Sequence, residues 1–98
     1  MKDIGALVLN EKDNVGTALR DLQENEDLKC ERLGEIFSFR VYERIPYGFK
    51  FSLGNIDLNG PIIKYGQIIG RATEMIPPGY CVHVHNAESL RGRGDWNE

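Results

Sequence analysis

The stretch IDLNGPI, residues 56–62, has a counterpart in IPPGYCV, residues 76–82, and both have the form Ile-x-x-(Asn or Gly)-x-x-aliphatic. The segment LQENEDL, residues 22–28, fits the same form loosely. Each segment places Asn or Gly, which tolerate a positive φ, between two apolar residues. The pattern predicts tight turns that deliver the chain into strands, and it supports turns rather than a duplication at this length.

Outside these turns, alternation of apolar and polar side chains predicts several strands. The predicted strands are residues 6–9, 37–42, 49–53 and 81–85. Residues 62–70 are predicted to form a hairpin with its turn near Gly66.

One helix is predicted in the N-terminal third of the chain. Asp13 and Asn14 are typical helix caps, and apolar residues follow at the spacing i, i+3, i+4 and i+7. These apolar residues are Val15, Ala18, Leu19 and Leu22. The predicted fold class is therefore mainly β, a single domain (residues 1–88) with one short helix. Residues 89–98 are predicted to form a flexible tail rich in Arg and Gly.

Composition and charge restrict the class of protein. With 98 residues, 41% hydrophobic and 28% charged, the chain is typical of one soluble globular domain. A net charge of −3 gives no electrostatic case for nucleic acid or an anionic membrane as partner. Because no apolar run has the length of a spanning helix or a signal-peptide core, we expect the cytoplasm. Cys30 and Cys81 are expected to be reduced thiols.

The two histidines of the chain, His83 and His85, lie close together near its C-terminus. On a strand over residues 81–85 they would share one face with Cys81 and could converge on one metal ion or one anionic ligand. A proton-transfer role and a purely structural role on a half-exposed strand are the alternatives. Asn86 either orients an imidazole or ends the strand as a turn residue.

Other polar side chains are candidates for binding. Lys64, Tyr65 and Arg71 are candidates for contacting an acidic substrate, although most surface cations are only solvated. In the tail, Arg91, Arg93 and Trp96 are candidates for contacting a protein partner, because Arg and Trp are frequent at interface hot spots.

Several motifs in order carry a resemblance to a known family. Residues 62–73 (IIKYGQIIGRAT), residues 76–79 and residues 83–86 (HVHN) resemble the SAF domain of altronate and galactarate dehydratases. The N-terminal ALVLN and KDNV, residues 6–10 and 12–15, are also similar to the opening of that family. The likeness is greatest to its stand-alone small subunits, including the alpha subunit of sulfolactate sulfo-lyase.

The resemblance implies a β-clip fold and a separately encoded large catalytic subunit as partner. It implies elimination of water or sulfite from a 2-hydroxy acid such as altronate, galactarate or sulfolactate. A divalent metal ion, iron or manganese, would be shared with the large subunit, and His83 and His85 would be catalytic residues and metal ligands. The alternative is a non-catalytic β-clip module that binds a ligand or a partner. An isolated small domain with exposed strand edges can also self-associate.

One position departs from the family pattern. Members usually read Ile-Pro-x-Gly-His-Lys where this chain has IPYGFK, residues 45–50. Phe49 stands at the position of the family histidine, and it can neither bind a metal ion nor transfer a proton. Two explanations are open. Either the site of this chain is altered, or the histidine of the relatives has only a packing role and Phe49 can replace it.

Overall fold

The computed structural model describes residues 3–90, which form nine strands in two sheets and no α-helix. The strands are β1 (Ile4–Val8), β2 (Val15–Ala18), β3 (Asp27–Arg32), β4 (Glu35–Arg40), β5 (Lys50–Ser52), β6 (Pro61–Lys64), β7 (Gln67–Ala72), β8 (Cys81–Val82) and β9 (Ala87–Ser89). The larger sheet has the order β4-β3-β1-β2-β5-β8, and the smaller has the order β6-β7-β9. The mainly β fold class is confirmed. No helix in residues 3–90 has the length and apolar character needed to cross a membrane.

The predicted turns are present, and they number four rather than three in this part of the chain. The residues with positive φ are Asn25 (63°), Gly48 (84°), Asn59 (70°) and Gly79 (84°). In each turn only the third residue has a positive φ, which is the geometry of a type II turn. The turn at Gly48 was predicted as a turn but not as a member of the repeat.

The apolar residue that immediately precedes each turn is paired with the corresponding residue before another turn. Leu22 and Ile45 exchange two backbone hydrogen bonds of 2.8 and 2.9 Å, and so do Ile56 and Ile76. All four side chains are at most 3% exposed. The four turns are therefore joined in two pairs, each with its apolar residues in the interior.

Each pair of turns belongs to one of two hydrophobic clusters. The first cluster contains Ala6, Ala18, Leu22, Leu28, Cys30, Val41, Ile45, Phe51 and Cys81. The second contains Val15, Ile56, Ile62, Ala72, Ile76 and Val82. Strands β2 and β8 contribute to both clusters, so they connect the two halves of the core.

Two hairpins close with two-residue turns. Leu33 (φ 50°) and Gly34 (φ 90°) join β3 to β4, while Tyr65 (φ 58°) and Gly66 (φ 73°) join β6 to β7. Positive φ at both positions defines the type I′ turn that matches the twist of antiparallel strands. The hairpin predicted over residues 62–70, with its turn at Gly66, is confirmed.

The predicted short helix is wrong, because Val15–Ala18 forms β2 at the centre of the larger sheet. β2 pairs with β1 on one side and with β5 on the other. A Cβ at Gly16 would lie 2.9 Å from Cζ of Phe51, so glycine allows β2 to pack closely over this ring. Two strand partners satisfy the backbone of β2, and this tertiary pairing outweighs the helical spacing of its apolar residues.

Asp13 and Asn14, predicted as helix caps, instead fasten the smaller sheet to the larger one. The carboxylate of Asp13, which is 5% exposed, accepts hydrogen bonds from the backbone N–H groups of Tyr65 (3.1 Å) and Gly66 (2.8 Å). Oδ1 of Asn14 accepts a hydrogen bond from the N–H of Ile63 at 2.8 Å. We call this pair the hairpin latch, because it fixes the β6–β7 hairpin against the end of β2.

The hairpin latch is expected to stabilise the fold. Replacing Asp13 by Ala leaves two backbone N–H groups without their acceptor, so Asp13→Ala should lower the free energy of unfolding by about 1–3 kcal/mol. Urea denaturation measures this change. Glu11→Ala, at a neighbouring exposed position, is the control and should stay within about 0.5 kcal/mol of the wild type. An equal effect of both substitutions would contradict the role of the latch.

The positive φ of the repeated turns can be tested at Gly48. A Cβ there would meet no atom within 4 Å, so any cost of Gly48→Ala comes from the backbone conformation. We expect Gly48→Ala to destabilise the protein by about 1–2 kcal/mol. Gly48→Asn should lose less, because Asn25 and Asn59 adopt the same conformation in the sister turns. Equal losses for Ala and Asn in thermal or urea unfolding would contradict this explanation.

Candidate functional site

The last strand of the larger sheet is shorter than predicted. β8 ends at Val82, and residues 83–86 form a turn that carries the chain to β9 in the smaller sheet. The prediction that His83 and His85 share one face of a strand is therefore wrong. Both histidines lie instead in the connection between the two sheets.

Asn86 explains why the strand ends there. Its side chain is buried, with Nδ2 donating to the carbonyl of Cys81 at 2.8 Å and Oδ1 accepting from the N–H of His83 at 3.0 Å. The N–H of Asn86 also donates to the carbonyl of His83 at 3.0 Å. These bonds use backbone groups that a longer strand would give to a neighbour. Of the two roles considered for Asn86, the turn role is confirmed.

A groove of about 510 Å³ lies at the junction of the two sheets. Its polar lining comes from different elements: Lys50 from β5, Lys64 from β6, Tyr65 from the hairpin turn, His83 from the connection and Glu88 from β9. Apolar side chains complete it, including Ile62, Ile69 and Val82. A volume of this size is typical of a small-molecule site, for which about 300–1,000 Å³ is usual.

The groove carries positive charge. Lys50 is half-buried, and burial together with the nearby charge of Lys64 lowers the pKa of its ammonium group. Within residues 3–90, neither lysine is in an ion pair. The carboxylate of Glu88 is paired with Arg71 at 2.5 Å. The groove therefore holds two ammonium groups whose charge no described carboxylate neutralises, which suits an anionic ligand.

His83 packs against Phe49. The two ring centroids are 4.5 Å apart and the planes are inclined by 39°. The position at which the family usually has a histidine is thus in direct contact with the imidazole of His83. In this chain the contact is aromatic, and the second imidazole that the family pattern would place there is missing.

The predicted binding residues divide into two groups. Lys64 and Tyr65 line the groove together with His83, whereas His85 and Arg71 are not among its lining residues. The guanidinium of Arg71 bonds Glu88 and also donates to Oδ1 of Asn59 at 2.6 Å. A structural role therefore accounts for Arg71.

Lys50 lines the groove but was not predicted as a site residue. The sequence places it on a strand next to Phe49, which alone gives no functional signal. Its position becomes clear from the pairing of β5 with β8, which sets Lys50 opposite Val82, another groove residue. The pairing of two strands far apart in sequence could not be read from the local pattern.

The described residues do not fit a metal centre built by this chain alone. Residues 3–90 contain no cluster of three or more His, Cys, Asp or Glu side chains that could hold a metal ion. Two lysines also line the groove beside His83, and their charge disfavours a cation there. The predicted iron or manganese ion shared with another subunit stays a prediction.

The predicted C-terminal tail is mostly outside the described residues. Strand β9 runs to Ser89, the first residue assigned to the tail, and pairs with β7. Arg91, Arg93 and Trp96, predicted to bind a partner, lie outside the range that the structure describes.

Comparison with known proteins is consistent with this architecture. The family model of the altronate/galactarate dehydratase SAF domain matches residues 4–90. The chain belongs to this SAF-domain family. The resemblance stated from the motifs is thereby confirmed, and with it the assignment of the fold as a β-clip of the SAF type.

Three relatives illustrate the relationship. Altronate dehydratase of Bacillus subtilis (strain 168) is 38% identical over 83% of this chain and 16% of its own length. Altronate dehydratase of Escherichia coli (strain K12) is 34% identical over 79% of the chain and 15% of its own. The (2R)-sulfolactate sulfo-lyase subunit alpha of Chromohalobacter salexigens is 38% identical over 54% of the chain and 56% of its own. The chain thus spans about a sixth of the altronate dehydratases that it matches.

Because no described carboxylate neutralises the charge of Lys50, we expect the stability of the protein to depend measurably on pH. Because its pKa in the folded state is lowered below the ordinary value of 10.5, the unfolded chain binds more protons between the two pKa values. Burying the charged ammonium group therefore lowers the free energy of unfolding by its full amount at neutral pH. This loss decreases as the pH rises through that interval.

We accordingly expect Lys50→Met to raise the free energy of unfolding at pH 7 and to lose its advantage over the wild type toward pH 10.5. Urea denaturation at a series of pH values measures the difference between the two proteins. Lys29→Met, at an exposed position of β3, is the control and should give no such pH-dependent difference. A Lys50→Met protein that is less stable at pH 7 would contradict the assignment.

Proposed function

We propose that this SAF domain works with a larger catalytic chain in a hydroxy-acid lyase. The observation that carries the proposal is the groove at the junction of the two sheets, where His83, Lys50 and Lys64 meet. A base or acid beside two cations suits the elimination of water or sulfite from an acidic substrate. The substrate class would be a sugar acid such as altronate or galactarate, or sulfolactate.

The relatives support the need for a partner. The altronate dehydratases match this chain over only 15–16% of their length, so most of each enzyme has no counterpart in the matched segment. One relative is named a subunit alpha, which by its name is part of an assembly. A groove formed by one small domain and open on its outer side provides a surface that a larger chain can complete.

The chemistry assigned to this chain is limited to its own groups. In the proposal, the two lysines bind the anionic groups of the substrate, and the imidazole of His83 accepts or donates a proton. Phe49 fixes the ring of His83 by contact. The predicted iron or manganese ion would take its ligands chiefly from the larger chain, and no part of this proposal depends on it.

A second function is favoured by Phe49. If the family histidine at this position takes part in the reaction, its replacement by a phenyl ring leaves a groove that binds but does not catalyse. The chain would then be a β-clip module for an acidic ligand or a protein partner. The presence of a binding groove and the contact of Phe49 with His83 are common to both functions, so activity must separate them.

The cytoplasm is the compartment that we infer. Cys30 and Cys81 are free and buried, in agreement with the prediction of reduced thiols. Burial raises the pKa of the Cys30 thiol to about 11, so this thiol is neutral and unreactive at physiological pH. Free thiols of this kind are usual in proteins of reducing compartments.

Coexpression with a candidate large subunit from a neighbouring gene tests the proposal. We expect a stable complex that eliminates water or sulfite from a hydroxy acid, whereas the chain alone is inactive. His83→Ala should lower kcat of the complex by at least about 100-fold without dissociating it, because the proton-transfer group is lost.

His85→Ala is the matched control, because His85 lies in the same turn but not in the groove. Its complex should keep kcat close to that of the wild type. Full turnover by the His83→Ala complex would disprove the catalytic role of His83. A stable complex without lyase activity would support the binding module instead.

A further inference from the structure

Several arginines have carboxylate partners, whereas the two lysines of the groove have none within residues 3–90. Arg20, Arg40 and Arg44 all pair with carboxylates in the described part of the chain. Within residues 3–90 Lys50 and Lys64 have no such partner, and the charge of Lys64 adds to the burial that disfavours the charged form of Lys50. Nζ of Lys64 lies over the ring of Tyr65, 5.3 Å from its centroid, an interaction that leaves its positive charge in place.

Other charged groups near the groove do not change this balance. Glu88 is the acidic lining residue, and Arg71 bonds its carboxylate. Arg71 is held on its other side by Asn59, so this ion pair is fixed in place and adds no net charge. Within residues 3–90 the groove therefore offers two positive charges to a ligand.

The two positive charges of the groove determine how many negative charges its ligand should carry. A ligand with one negative charge neutralises one ammonium group and leaves the second half-buried without a partner. A ligand with two negative charges neutralises both ammonium groups. The attraction of each lysine to the ligand then outweighs the repulsion between the two lysines. In a half-buried site such charges interact several times more strongly than in bulk water.

We propose that the groove selects a dianionic hydroxy acid over a monocarboxylate of the same chain length, with Lys50 and Lys64 holding its two anionic groups. The second anionic group is a carboxylate or a sulfonate. The apolar side of the groove, formed by Ile62, Ile69 and Val82, contacts the carbon chain between the charges. This inference rests on the proposed function for its substrate class, but its test needs only the 98-residue chain.

Three six-carbon probes of matched length test the proposal: galactarate with two charges, galactonate with one and galactitol with none. Titration of the purified chain, followed by nuclear magnetic resonance of its backbone amides, gives a Kd for each probe. We expect galactarate to bind at least about tenfold more tightly than galactonate, and galactitol not to bind. The shifted amides should be those of the groove, and added salt should weaken the binding.

Variants assign the preference to the two lysines. Lys64→Met and Lys50→Met should each reduce the advantage of galactarate to about the level of a single charge, whereas Lys50→Arg should retain it. Lys29→Met, outside the groove, should behave as the wild type. Sulfolactate and malate, short hydroxy acids with two charges each, are compared in a parallel titration: tighter binding of sulfolactate favours a sulfonate as the second group, and tighter binding of malate favours a carboxylate.

Equal affinity for galactarate and galactonate would overturn the proposal, as would no binding of galactarate or an unchanged preference in both Met variants. These outcomes are distinguishable from failure of the proposed function. If the complex is an active lyase but the groove binds galactarate and galactonate equally, only the proposed preference for a dianion is disproved. If the groove prefers the dianion but the complex has no lyase activity, only the proposed catalytic function is disproved.

Discussion

The paired backbone hydrogen bonds between turns are the interaction on which the rest of this structure depends. Leu22 with Ile45, and Ile56 with Ile76, each exchange two such bonds across the chain. Each pair buries its side chains in one cluster of the core and sets the direction in which the following strand leaves the turn. Residues 3–90, which contain no α-helix, bury their apolar surface by this repeated device, since strands of two to six residues cannot form a core individually.

The site is a consequence of how the two sheets meet. The hairpin latch of Asp13 and Asn14 holds the β6–β7 hairpin, and with it Lys64 and Tyr65, beside β5 and β8. Asn86 stops β8 after two residues and turns the chain into the smaller sheet, which leaves His83 at the junction. Asp13 and Asn86 are buried polar side chains bonded to backbone, and such bonds define one geometry because the alternatives leave buried groups unsatisfied.

Under the proposed function, the two unneutralised lysines lower the stability of the domain and bind the anionic ligand. Burial and the charge of Lys64 disfavour the charged form of Lys50, and no described carboxylate compensates it. Phe49 contacts His83, and it replaces the imidazole that the family pattern places at this position. The groove thus brings together two lysines and one imidazole in contact with a phenyl ring. The two proposed functions differ only in whether the single remaining imidazole is enough for catalysis.

Features that depend on neighbouring residues could be predicted from the amino-acid sequence. Positive φ at Asn59 and Gly79, the hairpin at Gly66 and the mainly β class all follow from local conformational preferences, and ordered motifs were enough to identify the family. Three features became known from the folded chain alone: Val15–Ala18 is a strand, Asp13 bonds a hairpin instead of capping a helix, and Lys50 lines the groove. The physical reason is that strand pairing and buried polar bonds join residues far apart in the chain, and these long-range contacts override local spacing when the two disagree.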